Sequence, residues 1–474
     1  MRFHTLTSLA VCALASISSV SAAVDNATAV VDFSVTRGTP QQYGSGVLYG
    51  IPDTSIDTWQ IPKTFYTEIG INHGRGGGSQ VAGKGWMGGE ADYEARIESA
   101  YQNYLHVRAL GGRFFLLNSA LWGADGLQTA SDPFPGDNGD WASYDAFLVR
   151  VAADINRLGM TEGLIVELWN EADYNAGFWT GRTLDQFMDT WGWAYHRLRP
   201  LLPKEVLISG PAFATELQDG GPWPQWFEYA KTNGSIPDMY TWHVLFQPGG
   251  TGNDVQWSRS QLDGLLDKYG LPKKPASVNE YAIPETQNPG YSAYTISALE
   301  RYDTWGLRAN WAMGGALHDY LASLVGKPDN TNGGVYDPSS GGYWATGEWH
   351  LYKYYYQAQT GVRVASTRST DGYFDVFSTW NSKKGKGALI AGTNGKTGTY
   401  QIQLKSLPKV GKKGSTAVRV VTKAYPWIGF REKVDADEIV VVADKVYTVT
   451  NGEALVQLVV TNATIGYSLD IYPA

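Results

Sequence analysis

The 474-residue sequence contains one cysteine, Cys12, and that residue falls inside an apolar N-terminal stretch. No disulfide can brace the remainder, so its own core must hold it. Charge is scarce as well: Asp, Glu, Lys and Arg make up 18% of the chain and sum to −8. With no basic stripe, neither nucleic acid nor an anionic membrane is a suitable partner. The N-terminal apolar stretch is broken by Ser and Thr and falls short of the ~20 residues that span a bilayer. The 7 histidines form no H-x-x-x-H pair. Acidic calcium loops and G-x-S-x-G elbows are also missing. The clusters Gly44-Ser45-Gly46 and Gly74 to Gly78 read as turn glycines, because neither completes a phosphate-binding fingerprint between strand and helix. These absences lead to the expectation that no cofactor or metal is obligatory.

Arg2 and His4 precede an apolar stretch from Leu6 to Ile17 that ends near Val20-Ser21-Ala22, which is the pattern of a secretory signal cleaved after Ala22. Sequons at Asn26, Asn233 and Asn462 fit a glycosylated, extracellular protein, expected to be a monomer. Aromatic residues are abundant, with 18 Trp and 29 Tyr. Flat rings suit the C–H faces of sugars, although most should lie in the core.

One module recurs: an amphipathic helix, a glycine or short polar turn, then an apolar strand. It begins at "GVLYGI" and continues through "INHGRGGG", "RFFLLNS", "LIVELWNE", "VLISGPA", "MYTWHVLF", "SVNEYA" and "RANWAMGG". Such uninterrupted apolar runs suit parallel strands covered on both faces. Eight βα units predict a closed (β/α)₈ barrel over residues 41–361. Thr183 with Gln186 predicts a capping box at the head of one helix. Beyond Gly361 a two-residue alternation takes over, as in Tyr400, Ile402 and Leu404, and predicts a β-sandwich over 362–474. An early strand within residues 23–40 should pair with it.

In such barrels chemistry gathers where the strands end. The fourth strand ends in Asn170-Glu171 and the seventh in Asn279-Glu280. Two facing carboxylates meet the needs of glycosidic cleavage: one protonates the departing oxygen while the other attacks or stabilises the anomeric carbon. The run from Glu167 to Glu171, E-x-W-N-E, together with N-E-Y at Asn279 to Tyr281, resembles the clan A glycoside hydrolases, most closely family 39, in which the barrel carries a β-sandwich. The resemblance implies Glu171 as general acid/base and Glu280 as nucleophile, on β-D or equivalent α-L linkages. "NEAD" stands where many members have Asn-Glu-Pro.

Glu167 lies deeper in its strand and is expected to be a buried, paired charge; Asp173 and Glu285 are expected to order loops. Asn170 should donate to a sugar hydroxyl, Arg75 should hold Glu280 ionised, and His243 should touch the sugar or a carboxylate. Trp122, Trp179 and Trp311 are candidate stacking platforms, and Tyr281 is a candidate substrate contact. The segment His318 to Tyr343 should wall off one end of the groove. The reading is therefore a secreted, retaining, exo-acting hydrolase of plant cell-wall hemicellulose that releases xylose or arabinofuranose units. An endo-β-glycanase and a non-catalytic carbohydrate-binding barrel are the alternatives.

Overall fold

The computed structural model describes residues 27–473 except 175–176, 246, 251, 313–315, 329–341 and 409–415. The expected signal segment, the Asn26 sequon and residues 329–341 of the His318 to Tyr343 segment lie outside the described residues.

After β1 (Thr28–Thr36) come eight parallel strands that close into a barrel in sequence order. They are β2 (Gly46–Leu48), β3 (His73–Gly76), β4 (Arg113–Leu117), β5 (Leu164–Glu167), β6 (Leu207–Phe213), β7 (Met239–Val244), β8 (Ala276–Tyr281) and β9 (Thr304–Arg308). Alternation along each strand sorts its side chains. Phe114, Leu164, Val166, Ile208, Tyr240 and Val278 face the helices. Phe115, Ile165, Met239 and Leu307 plug the interior. One step nearer the C-terminal mouth the inward positions turn polar: Glu167 pairs in register with Ser209, and Thr241 with Ser277. The apolar plug thus forms the floor, and the polar layer above it begins the site.

Two local expectations are corrected. The eighth barrel strand is Thr304–Arg308, four residues before the predicted "RANWAMGG". Asp303, not Gly306, takes the left-handed backbone that ends the helix (φ 48°). Gly306 is free to lie in the strand, where a Cβ would come within 2.4 Å of Leu299. The capping box is only half formed. Thr183 accepts from the Gln186 amide at 3.2 Å, but the Gln186 side chain donates instead to the Pro135 carbonyl at 2.8 Å and to Asp137.

The second unit begins after a two-residue ladder of β10 (Val325–Gly326) and β11 (Trp344–Ala345). Its strands are β12 (Val362–Thr367), β13 (Phe374–Asn381), β14 (Lys386–Thr393), β15 (Gly398–Lys405), β16 (Ala417–Tyr425), β17 (Val440–Thr448), β18 (Ala454–Val460) and β19 (Gly466–Pro473). β12 is shared, since Val362 and Arg363 pair with β13 while later residues pair with β1. The sheet turns there into two layers enclosing Val31, Phe374, Leu389, Ile402, Val420, Val456 and Ile471. β1 lies between β12 and β15, antiparallel to the first and parallel to the second. The helix Pro289–Arg301 is buried through Glu300 between barrel and sandwich. Its Gly290 carbonyl sits so close to Gly392 that a Cβ there would lie 1.9 Å away. Among the described residues no helix is long and apolar enough to cross a membrane.

Candidate active site

Irregular backbone delivers both strand-end glutamates to the barrel mouth. Glu171 lies four residues beyond Glu167 and holds a left-handed backbone (φ 47°) while its amide donates to the Ala212 carbonyl at 3.0 Å. A non-glycine residue in that region is disfavoured and must be held by its surroundings. Glu280 gets there by another device. The register of β8 slips between Val278 and Tyr281, so Asn279 and Glu280 both turn toward the barrel interior. A bulge re-aims a side chain in this way.

His243 lies between the two carboxylates. Its Nδ1 is 2.8 Å from Glu171 Oε1 and its Nε2 is 3.6 Å from Glu280 Oε1. Glu171, His243 and Glu280 each offer one atom within 4.8 Å of the other two, so a carboxylate oxygen of each glutamate lies within that span. Arg75 completes the group. Its Nη1 donates to Glu280 Oε1 at 2.5 Å and its Nη2 to Asn170 Oδ1 at 2.5 Å. Nε and Nη2 both reach Glu167, which also accepts from Asn279. Glu167 is therefore a buried charge paired below the mouth, and Asn170 keeps its Nδ2 for an outside acceptor.

Burial would lift the Glu280 carboxyl, but the charges of His243 and Arg75 hold it below the ordinary 4.5. For His243 burial acts downward, yet Glu280 and Glu171 together raise it above 6.5. Burial lifts Glu167 despite Arg75. The same three groups, Glu171, His243 and Glu280, are the set among the described residues close enough to share a cation. A guanidinium bonded to one carboxylate and an imidazole biased toward its charged form both oppose a cation there.

Three nominated contacts are corrected. Trp122 and Trp179 are each 2% exposed. Trp122 meets Tyr144 and Phe147 edge to face, and Trp179 meets Phe134, Trp169 and Phe187 in the same way. Such edge-to-face clusters between strands and helices are core, not platforms. Tyr281 follows Glu280 on the strand and so points outward; its hydroxyl meets Tyr352 at 2.6 Å. Trp311 stays half-buried, its indole donating to the Ala282 carbonyl at 2.8 Å. Asp173 accepts from the amides of Ala214 and Thr215, and Glu285 is exposed. Asn233 and Asn462 are exposed.

A pocket of about 190 Å³ adjoins Glu280, lined by Arg75 and Asn170 together with Leu48, Tyr49, Phe178, Asn310 and Leu317. The last five were not foreseen from sequence. The misplaced eighth strand hid Asn310, which stands two residues past the true strand end. A larger cleft of about 530 Å³, bounded by Trp141, Trp193 and Tyr229, lies on the flank of the barrel among helices.

Neither a protein-family model nor a curated protein matches the sequence. Solved structures do match in shape. N2152 from Neocallimastix frontalis is similar with a TM-score of 0.70 at 22% identity, over 95% of this chain and 100% of its own. The family 39 enzyme from Xanthomonas axonopodis pv. citri gives 0.57 at 12% identity, over 94% and 97%. A family 39 β-xylosidase from Caulobacter crescentus gives 0.55 at 14%, over 94% and 100%. The likeness is one of fold: a barrel with an attached sandwich, as in clan A glycoside hydrolases, family 39 among them.

Proposed function

We propose that this protein is a retaining glycoside hydrolase acting on plant cell-wall hemicellulose. One observation carries the reading: carboxylate oxygens from two strand-end glutamates lie within 4.8 Å, with a histidine between them. Retention calls for carboxyl groups about 5–5.5 Å apart, whereas inversion needs about 6.5–9.5 Å to admit a water. Glu280, kept ionised by Arg75 and His243, attacks the anomeric carbon. Glu171 gives its proton to the leaving oxygen and then takes one from the water that releases the sugar. The Nδ2 of Asn170 is placed to donate to the neighbouring hydroxyl.

The pocket of about 190 Å³ beside Glu280 supports an exo mode. It falls below the roughly 300–1,000 Å³ of sites for drug-sized ligands and suits one sugar ring. The barrel–sandwich architecture shared with a β-xylosidase makes β-D-xylosides and the stereochemically equivalent α-L-arabinofuranosides the first substrates to try. The proposal includes secretion and glycosylation, on the strength of the N-terminal pattern and the sequons. A chromogenic panel followed by product analysis on arabinoxylan and xylo-oligosaccharides tests it. Single pentoses with retained anomeric configuration, seen by proton NMR before mutarotation, are expected. Oligosaccharide mixtures would establish the endo-glycanase alternative, inverted product would remove the nucleophile assignment, and an inert panel would favour the binding barrel.

A further inference from the structure

Leu321, Ala322 and Ser323, three consecutive residues that are not glycine, hold left-handed backbone with φ of 45°, 49° and 66°. One such residue is uncommon, and a run of three persists only where its surroundings over-determine it. Arg308 supplies one restraint, its Nε donating to the Ala322 carbonyl at 2.7 Å. The end of β2 supplies another, for a Cβ on Gly50 would lie 2.9 Å from the Leu321 Cα.

The third restraint comes from the sandwich. Arg431, in the loop between β16 and β17, is 2% exposed and is itself left-handed (φ 64°). Its guanidinium lies 3.6 Å from the centre of the Tyr320 ring, and its Nε donates to Ser323 Oγ at 3.2 Å. Its carbonyl accepts from the Trp344 indole at 2.9 Å and occupies the place a Cβ on Gly326 would need. Burial pulls the guanidinium down to about 10, which leaves it charged at neutral pH.

Leu317, four residues before this turn, reaches the pocket. The Leu317 carbonyl accepts from the Gly50 amide at 2.9 Å and from Asn310 Nδ2 at 2.5 Å. Leu317, Asn310, Leu48 and Tyr49 line the pocket together with Asn170 and Phe178.

We propose that Arg431 is a positioning residue: the sandwich pins the left-handed turn at 321–323 from behind and thereby sets the pocket wall that receives the sugar. The sandwich then shapes the binding pocket without lining it, and is not a separate carbohydrate module. For its substrate this inference rests on the glycosidase reading, so its first test needs no substrate. In the full-length protein, Arg431→Met removes the planar charge while keeping an apolar stem. Backbone amide exchange over residues 317–326, followed by mass spectrometry, should accelerate at least tenfold while β4 and β5 stay protected. On whichever glycoside the wild type cleaves, KM should rise about tenfold with kcat within twofold. Arg431→Lys, which keeps charge but not the planar stack, should recover only part of both. Adding Ala322→Gly, which relieves the left-handed strain, should restore KM toward wild type. Should Arg431→Met fail to fold, Ser323→Ala removes only the accepting hydroxyl and is expected to shift exchange and KM the same way. Unchanged exchange at 317–326, or a fall in kcat at constant KM, overturns the proposal. A wild type inert on every glycoside overturns the glycosidase reading instead, and the exchange result still decides the role of Arg431.

Discussion

Glu280 is clasped by a guanidinium, whereas Glu171 is met by an imidazole alone, so the two should respond differently to replacement. Glu280→Gln is expected to abolish turnover, because no other group near the anomeric carbon can form the covalent intermediate. Glu171→Ala should keep activity on substrates whose leaving groups need no proton and should be accelerated by azide, giving a glycosyl azide of retained configuration. Azide rescue of Glu280→Ala with a glycosyl azide of retained configuration, or of Glu171→Ala with an inverted one, would exchange the two roles. The pH dependence of stability follows from the same contacts. Glu280 titrates lower in the folded protein than its ordinary 4.5, so its contribution is present above that value and is lost as pH falls through the lowered one. His243 titrates above 6.5, so its contribution is present below that value and is lost as pH rises through the raised one. Melting temperature against pH should therefore fall at both ends. In His243→Gln the alkaline decline should vanish and the acid decline should begin at higher pH, since Arg75 alone then opposes protonation of Glu280. A profile unchanged by that substitution would contradict the account.

Among the elements, the existence of the barrel strands was legible from sequence, while their exact ends and the direction of their side chains were not. The βα repetition located β5 and β8, with Glu171 four residues beyond the first and Glu280 next to last in the second, because helix stops and apolar runs are local signals. The slip in β8 that turns both Asn279 and Glu280 inward leaves no mark in the residue types. Strict alternation would have sent one of them out. Trp122 and Trp179 were misjudged for a related reason: an indole following a strand reads the same whether it meets solvent or the Phe134 and Phe147 rings. Their burial predicts that Trp179→Ala should lower unfolding free energy by about 3–5 kcal/mol in denaturant titration, with KM unaltered in the folded fraction. The half-formed cap predicts a smaller loss, about 1 kcal/mol for Thr183→Ala. Of the five unforeseen pocket residues Leu48 ends β2 and the other four lie in loops, and the path of the loop after Leu317 depends on distant partners, Arg308 and Arg431.

On the scale of the whole molecule, the helix Pro289–Arg301 makes barrel and sandwich interdependent. It is buried through Glu300, packed on β9 from one side and on Gly392 from the other, and Arg301 pairs with Asp375 of β13. A chain ending at residue 361 should therefore expose this helix and aggregate, as size-exclusion chromatography would show; a soluble, monomeric barrel would mean the sandwich is dispensable. The placement of β1 adds a demand in time. Val30 pairs with Thr367, so the strand synthesised first finds its antiparallel neighbour only after 367 − 30 = 337 further residues have been added. At roughly 5–20 residues per second that interval is about 17–67 s. Throughout it an apolar β segment must stay unpaired near the ribosome or the translocation pore, where a chaperone would find it. The barrel strands, each meeting the next within one βα unit, can assemble in order meanwhile, and the N-terminal strand would then find its place only after every strand of the barrel has found its own.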